Sequence, residues 1–300
     1  FSQLSLTAII YLLLLLLINS KLSRLSVVVV SALSIFEFGY NAYLSQVTLG
    51  YDDVNKFSDA AVSVKRVTDN IQENADEEFY RIATTFAYSR TVPSLVSYPG
   101  LSTFSSSLER STMDHFALMG DLGVNAATEY TNGTPLTDAL YGVRYYMTVK
   151  DFDPKEMEAN PEKMYFHRFT NRFDLERYYT EKVYEDKRFV VYKNPNSFPL
   201  GYGTNALVKN IKFGVNNAIA NQNIILNSME GHQKKTSDYY DYFKPLAFSA
   251  IETENVIEEK VDKNTGEAIY KRADSSKEAI IRYKLVPRSN YTYYFFTPAG

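Results

Sequence analysis

LSLTAIIYLLLLLLINSKLSRLSVVVVSALSIFEFGYNAYLSQ, residues 4–46, decides the architecture. Its first part is apolar through residues 4–18, with leucine at every position from 12 to 17. With Phe1 included, this run approaches the roughly 20 residues a helix needs to cross a bilayer. A second apolar run covers residues 25–46, through Val27-Val28-Val29-Val30 and Ile35-Phe36. Between them, Asn19-Ser20-Lys21-Leu22-Ser23-Arg24 is a short polar loop with two cations and no acid. Cations in short loops favour the cytoplasmic side. The chain is therefore expected to enter, turn at Lys21 and Arg24, and leave again. Everything after Leu49 is then extracytoplasmic, in keeping with Asp52 and Asp53 just past the second run.

Two other readings exist: a signal peptide ahead of a soluble start, and a buried helical hairpin in a soluble protein. Against the first, the leading run lacks a basic leader and no small-residue cleavage site precedes the second run. Glu37 and Asn41 fall in the outer part of the second span. An intramembrane carboxylate is costly and often functional, although Glu37 can also snorkel to the interface beside Tyr40 and Tyr43.

Beyond the hairpin the 300 residues leave room for one large or two modest domains. The hydrophobic fraction of 45% averages two unlike regions, since most of the apolar excess precedes Tyr51. A net charge of −3 gives no basic field to recruit nucleic acid. The absence of cysteine excludes a disulfide framework and any thiolate metal site. It suits an exported domain stabilised by core packing, and equally a cytoplasmic one. Phe1 at the start, and Gly300 straight after a strand-like run, read as cuts in a longer protein.

Along the rest of the chain, Val54, Phe57, Ala61, Val64 and Val67 recur at helical spacing and predict a helix over residues 54–76. Phe79-Tyr80-Arg81-Ile82-Ala83 alternates as a strand. Residues 94–107 form a loop containing the turn Tyr98-Pro99-Gly100. Ser107 is placed to cap a helix over 108–119. Residues 140–149 read as an aromatic-rich strand and 151–177 as a charged, exposed insertion with Pro154 and Pro161. Phe189-Val190-Val191-Tyr192 is a strand ending in the turn Lys193-Asn194-Pro195-Asn196, and Leu200-Gly201-Tyr202-Gly203 continues extended. Residues 216–229 read as a helix with Ala218, Ile224, Ile225 and Met229 as its apolar set. From Lys244 the pattern becomes strands: 247–258 and 268–272 flank the hairpin signal Asp262-Lys263-Asn264-Thr265-Gly266, and 279–285 and 291–296 follow.

The expected organisation is α+β. Two N-terminal transmembrane helices (1–48) precede a mixed α/β extracytoplasmic domain (49–243) and a C-terminal β-rich module (244–300).

Motifs that carry chemistry are sparse. His115, His167 and His232 lack metal-ligand spacing, and no metal site is expected. There is no Gly-rich phosphate loop and no nucleophile elbow. Ser105-Ser106-Ser107 has no local base, which favours capping and turn bonding. The pairs Glu77-Glu78 and Glu258-Glu259 are sequence neighbours pointing in different directions. Asn132-Gly133-Thr134 and Asn290-Tyr291-Thr292 match a glycosylation pattern that is weak on its own. The 25 tyrosines suit the C–H face of a pyranose, but core and hairpin packing explains most of them equally well. If a ligand groove exists, the long, polar loop after the first strand is where it is expected. Its candidate binding residues are Arg90, Tyr98, Ser102, Ser105 and Ser106, against the alternative of a hydrogen-bonded structural loop.

Three stretches carry a resemblance: Tyr98-Pro99-Gly100-Leu101-Ser102-Thr103-Phe104-Ser105-Ser106-Ser107, then Leu140-Tyr141-Gly142-Val143-Arg144-Tyr145-Tyr146-Met147, then Val191-Tyr192-Lys193-Asn194-Pro195-Asn196-Ser197-Phe198-Pro199-Leu200-Gly201-Tyr202. In order and spacing they resemble the outer domain of the bacterial YfhO family, with Lys193 where most of those proteins have Glu. The resemblance covers about residues 37–223. It implies a multispanning membrane protein with a glycosyltransferase-C type core. Such proteins are implicated in moving sugar from a polyprenyl-phosphate carrier to a cell-envelope polymer such as lipoteichoic acid. The implied partners are the lipid bilayer, that carrier-linked sugar and the polymer; no cofactor is implied. The catalytic acid of such enzymes is expected in an early outer loop, so no catalytic residue is carried over to this chain. Two other function classes remain: a non-catalytic transport, export or envelope-binding scaffold, and a sensor ectodomain, which should come with a cytoplasmic signalling module elsewhere in the chain.

Overall fold

The computed structural model describes residues 11–12, 23–51, 53–76, 78–150, 166–168, 170–214, 217–244, 248–262, 267–286 and 292–294. The chain divides into two compact units, Phe1–Val54 and Asn55–Gly300.

In the first unit, helix α1 (Ser23–Thr48) contains the stretch Val27–Thr48, with mean hydropathy 1.5 and none of it buried. Its 22 residues rise about 33 Å, enough to cross the hydrocarbon core. Among the described residues it is the one helix long and apolar enough to do so. The first span expected over residues 4–18 lies almost wholly outside the described residues. Of its two described residues, Tyr11 bears on Glu37. The Tyr11 hydroxyl donates to the Glu37 carboxylate at 2.6 Å and lies 3.3 Å from Ser34 Oγ. Glu37 is thus held by a partner from the preceding run.

The second unit opens with helix α2 (Val54–Asn74), which buries Ala60, Val64, Val67 and Ile71 at helical spacing. Then follow β1 (Arg81–Thr84), β2 (Phe86–Ala87), the short helix α3 (Val92–Val96), β3 (Thr103–Phe104), α4 (Arg110–Met119), β4 (Leu122–Val124), β5 (Ala127–Glu129), α5 (Pro135–Leu140) and β6 (Val143–Val149). After them come β7 (His167–Arg168), α6 (Leu175–Tyr178), β8 (Glu181–Glu185), β9 (Phe189–Lys193) and α7 (Ala218–Glu230). The central sheet has the order β1-β6-β9-β8. β1 pairs with β6 in parallel and the other two pairings are antiparallel. A parallel pair needs a long crossover. Here the elements from β2 to α5 supply it, including a small sheet of order β3-β5-β4.

Strand alternation sends side chains to both faces of the sheet. Ile82, Tyr145, Met147, Phe189 and Val191 join α2 on one face, while Ala83, Tyr146, Val190 and Tyr192 join Phe116, Tyr130, Leu175 and Tyr179 on the other. Burial on both faces explains why β6 and β9 read as nearly continuous apolar runs.

Several expectations are corrected. α4 starts at Arg110, with Glu109 at its N-cap making no side-chain capping bond to the backbone, and Ser107 instead bonds Ser105. The strand expected over 140–149 begins at Val143, because Leu140 ends α5. α5 itself is set by a capping box: Thr134 accepts from the Thr137 N–H, and Thr137 Oγ1 accepts from the Thr134 N–H. Residues 151–165 of the charged insertion lie outside the described residues. Its far end is no exposed excursion, since Arg172, Asp174 and Leu175 are buried. Residues 200–203 form no strand.

α7 buries its amides in place of its apolar set. Asn221, Gln222, Asn223 and Asn227 are buried, while Ile224, Ile225 and Met229 are only partly covered. The reason is backbone satisfaction. Asn221 Nδ2 donates to the carbonyls of Leu118 and Gly214, and Gln222 Nε2 to that of Met119. Asn223 exchanges two bonds with the Phe243 backbone, and Asn227 does the same with Tyr240. One helix face therefore ties irregular segments from both sides to the body.

Beyond α7, β10 (Phe248–Glu254) pairs with β13 (Ile280–Leu285), and β11 (Val256–Asp262) with β12 (Glu267–Arg272), all antiparallel. The hairpin end at Asp262↔Glu267 matches its turn signal. Asn255 joins the two pairs. It sits at φ 53°, and its Nδ2 donates to the carbonyls of Asp274, Lys277 and Glu278. Thr292–Tyr294 carry no strand, and the rest of the strand expected over 291–296 lies outside the described residues.

Candidate functional site

Among the described residues, a dense constellation of buried ionisable groups lies on the sheet face opposite α2. The chain after β7 places Arg172, and the start of α6 places Asp174. α5 turns Asp138 inward; β6 contributes Tyr146, and the end of β5 contributes Tyr130. The Arg172 guanidinium donates from Nη2 to Asp138 Oδ2 at 2.7 Å and from Nη1 to Asp138 Oδ1 at 3.3 Å. It also donates from Nε to Asp174 Oδ1 at 2.7 Å and from Nη2 to Asp174 Oδ2 at 2.8 Å. Its Cζ lies 4.7 Å from the centre of the Tyr146 ring, within cation–π range. The three charged side chains are 3%, 0% and 3% exposed.

One cation between two buried carboxylates leaves an excess negative charge, and tyrosines answer it. Tyr130 and Tyr179 donate to Asp138 at 2.7 and 2.6 Å, and Tyr294 donates to Asp174 at 3.1 Å. Burial, followed by the Asp138 charge, pushes the Tyr130 and Tyr179 hydroxyls well above their ordinary range, so they stay protonated donors. Burial alone would lower the Arg172 pKa. Asp138, Tyr146 and Asp174 outweigh it and hold the guanidinium charged well above its ordinary value. Gly133 passes so close that a Cβ there would meet Arg172 Nη1 at 2.6 Å and the Tyr130 hydroxyl at 2.8 Å.

Asp121 adjoins this layer. Its Oδ1 accepts from the backbone N–H groups of Thr131 and Asn132 at 2.9 and 2.8 Å, while its Oδ2 is buried without a hydrogen-bond partner. Burial raises its carboxyl to about 7 against those two hydrogen bonds. The paired carboxylates are committed to Arg172 and to tyrosine donors, so this constellation locks the fold. Among the described residues, no cluster of His, Cys, Asp and Glu is arranged to hold a metal ion.

The loop residues expected to bind are dispersed by the fold. Tyr98 is 8% exposed and packs in the apolar cluster under α2. Burial raises its hydroxyl well above the ordinary range. Ser102 Oγ accepts from the Tyr130 N–H at 3.3 Å. Ser105 Oγ lies 2.9 Å from Ser107 Oγ and accepts the Ser107 N–H, closing a serine turn. Ser106 is exposed. Arg90 is exposed and pairs with Glu129 at 3.3 Å. The glycosylation pattern at Asn132 is occupied, since its amide donates to the Gly120 carbonyl and Thr134 is fully buried. Asn290 lies outside the described residues.

Sequence reasoning missed Arg172, Asp138, Asp174 and Asp121. The one available signal was Thr134-Pro135 with Thr137, which starts a helix and turns Asp138 inward.

The described residues form an α+β protein in which an apolar helix of spanning length precedes a mixed α+β unit. The chain belongs to the family of the bacterial membrane protein YfhO, whose profile matches residues 1–299. Association with the lipid bilayer follows from that membership. No curated protein and no solved structure matches it.

Proposed function

We propose that the chain belongs to a multi-pass membrane glycosyltransferase that moves a sugar from a polyprenyl-phosphate carrier to a cell-envelope polymer such as lipoteichoic acid. Its globular unit stands outside the cytoplasmic membrane and positions the acceptor. The observation that carries this reading is the family match over residues 1–299. The two cations Lys21 and Arg24 between the apolar runs of the sequence support the outward orientation. In the reaction an acceptor hydroxyl oxygen bonds to the anomeric carbon as that carbon's bond to the carrier phosphate breaks. A carboxylate takes the hydroxyl proton. No carboxylate of this chain is assigned that task. Of the candidate residues, Ser106 and Arg90 are the exposed ones that an acceptor can reach. Ser106→Ala with Arg90→Ala is expected to lower transfer without lowering stability; unchanged transfer removes the loop from the site. The reading itself is tested by deleting the full-length gene and measuring the sugar content of the envelope polymers. Unchanged content overturns it.

The second reading is a non-catalytic export or envelope-binding scaffold. The commitment of Asp138 and Asp174 to structural bonds favours it. Purified full-length protein that transfers a carrier-linked sugar excludes it.

A further inference from the structure

We propose that a polar cavity beside the C-terminal end of α2 binds one neutral, hydroxyl-rich sugar ring of the acceptor. The proposal rests on the reading of the protein as one that handles sugar, and it assigns a place and a ligand class to that role.

The cavity has a volume of about 300 Å³. That is the lower end of the range for small-molecule sites and leaves room for a single ring, not for a polymer segment. Its location follows from sheet register. Tyr145 of β6 is the direct partner of Lys193 on β9, and Lys193 is the direct partner of Glu181 on β8. Direct partners share a face, and neighbouring strands lie roughly 4.8 Å apart. One rung of the sheet thus presents an aromatic ring, an ammonium and a carboxylate within roughly 10 Å. The face is the one α2 covers, since Tyr145 belongs to the cluster with Val64, Val67 and Ile71. The last turns of α2 complete the wall with Asn70 and Asn74.

Floor and rim differ in character. Ile71 and Tyr145 are buried and Val183 is partly covered, which makes the floor apolar. The rim has amides at Asn70 and Asn74, carboxylates at Asp76 and Glu181, and the Lys193 ammonium. A pyranose has the matching division, with C–H groups on its faces and hydroxyls around its edge. Carboxylates and amide oxygens accept from those hydroxyls, and amide N–H groups and the ammonium donate to them. Lys193 Nζ lies 3.4 Å from Asp76 Oδ2, but Asp76 is 84% exposed, so this pair holds its geometry weakly and can open to a ligand.

Charge decides between the two halves of a phosphate-bearing acceptor. The rim sets two carboxylates against one ammonium, and α2 turns its negative C-terminal end toward the cavity. A phosphodiester is repelled there and a neutral ring is not.

The test is saturation-transfer NMR on the detergent-solubilised full-length protein, with glucose, N-acetylglucosamine and glycerol 3-phosphate as probes. The expected result is transfer to the ring protons of a saccharide and none to glycerol 3-phosphate. Asn74→Ala with Glu181→Gln should reduce saccharide transfer at least tenfold while the thermal midpoint stays unchanged, both side chains being exposed. No saccharide transfer, equal transfer in the double variant, or preference for glycerol 3-phosphate each overturns the site. The gene-deletion assay separates this from the parent reading. Unchanged envelope sugar with intact binding removes the transferase and keeps the site; reduced envelope sugar without binding removes the site and keeps the transferase.

Discussion

The two faces of the central sheet are built from the same strands and hold together by different physics. Under α2, Val64, Val67, Met147, Phe189 and Val191 are all at 0% exposure and close an apolar core. On the other face, Tyr130, Tyr146 and Tyr179 turn their hydroxyls and rings toward Arg172, Asp138 and Asp174. Burial of apolar area stabilises the first face without regard to partner geometry. The second is stable only while every charge keeps its partner, because a buried unpaired charge costs several kcal/mol. The comparison teaches that the α2 face should yield gradually to substitution, while the opposite face should fail abruptly.

The largest effect is expected of Arg172→Leu. It leaves Asp138 and Asp174 buried without a cation and is expected to cost about 3–5 kcal/mol. That is a large part of a typical domain's 5–15 kcal/mol or so. Urea unfolding followed by tyrosine fluorescence is the measurement, since the chain has no tryptophan. A loss below that of an apolar truncation would show that the charges are relaxed by water. The matched truncation on the other face is Met147→Ala, expected to cost about 2–5 kcal/mol through lost transfer energy and a cavity. Smaller again is Tyr294→Phe. The Tyr294 hydroxyl joins the segment after β13 to Asp174, and Thr292 lies 3.3 Å from the Arg177 guanidinium and from the Tyr178 hydroxyl. Removing one hydrogen bond to a charged, buried acceptor should cost about 1.5–3 kcal/mol. It should also raise hydrogen exchange in β10 and β13 first. Uniform exchange changes would mean that Tyr294 does not anchor the ribbon.

The same contrast explains what was legible in the sequence. α2, β6 and β9 are written in local periodicity, and the hairpin at Asp262↔Glu267 in local turn chemistry. Both depend on neighbours in sequence, so one chain suffices to read them. Arg172 and Asp138 are 34 residues apart, and each by itself looks like solvated surface. Glu181-Lys182-Val183-Tyr184-Glu185 forms the edge strand β8, although its charged composition carries no strand signal. α7 misled for a related reason: its amides find carbonyls at Leu118, Met119, Phe243 and Tyr240, none of them visible as a pattern. Of the loop residues, Tyr98 was the least legible, because the turn signal Tyr98-Pro99-Gly100 says nothing of which way the ring points.

The smallest expected effect tests whether the polar face is as dry as its bonds imply. The Asp121 carboxyl is raised from 3.8 to about 7, with burial the largest cause. In the folded state it therefore takes up a proton between those values that the unfolded chain does not hold. Stability is greatest below the unfolded value and falls as pH rises through the folded one. Linkage puts the fall on the order of 1 kcal/mol between pH 6 and pH 8. Asp121→Asn keeps an oxygen to accept from Thr131 and Asn132 but cannot titrate, so its stability should lose that slope. The measurement is urea midpoints at both pH values for the two proteins. Parallel slopes would mean that water reaches Asp121 Oδ2, and that the layer around Arg172 is more open than the pairing of its charges requires.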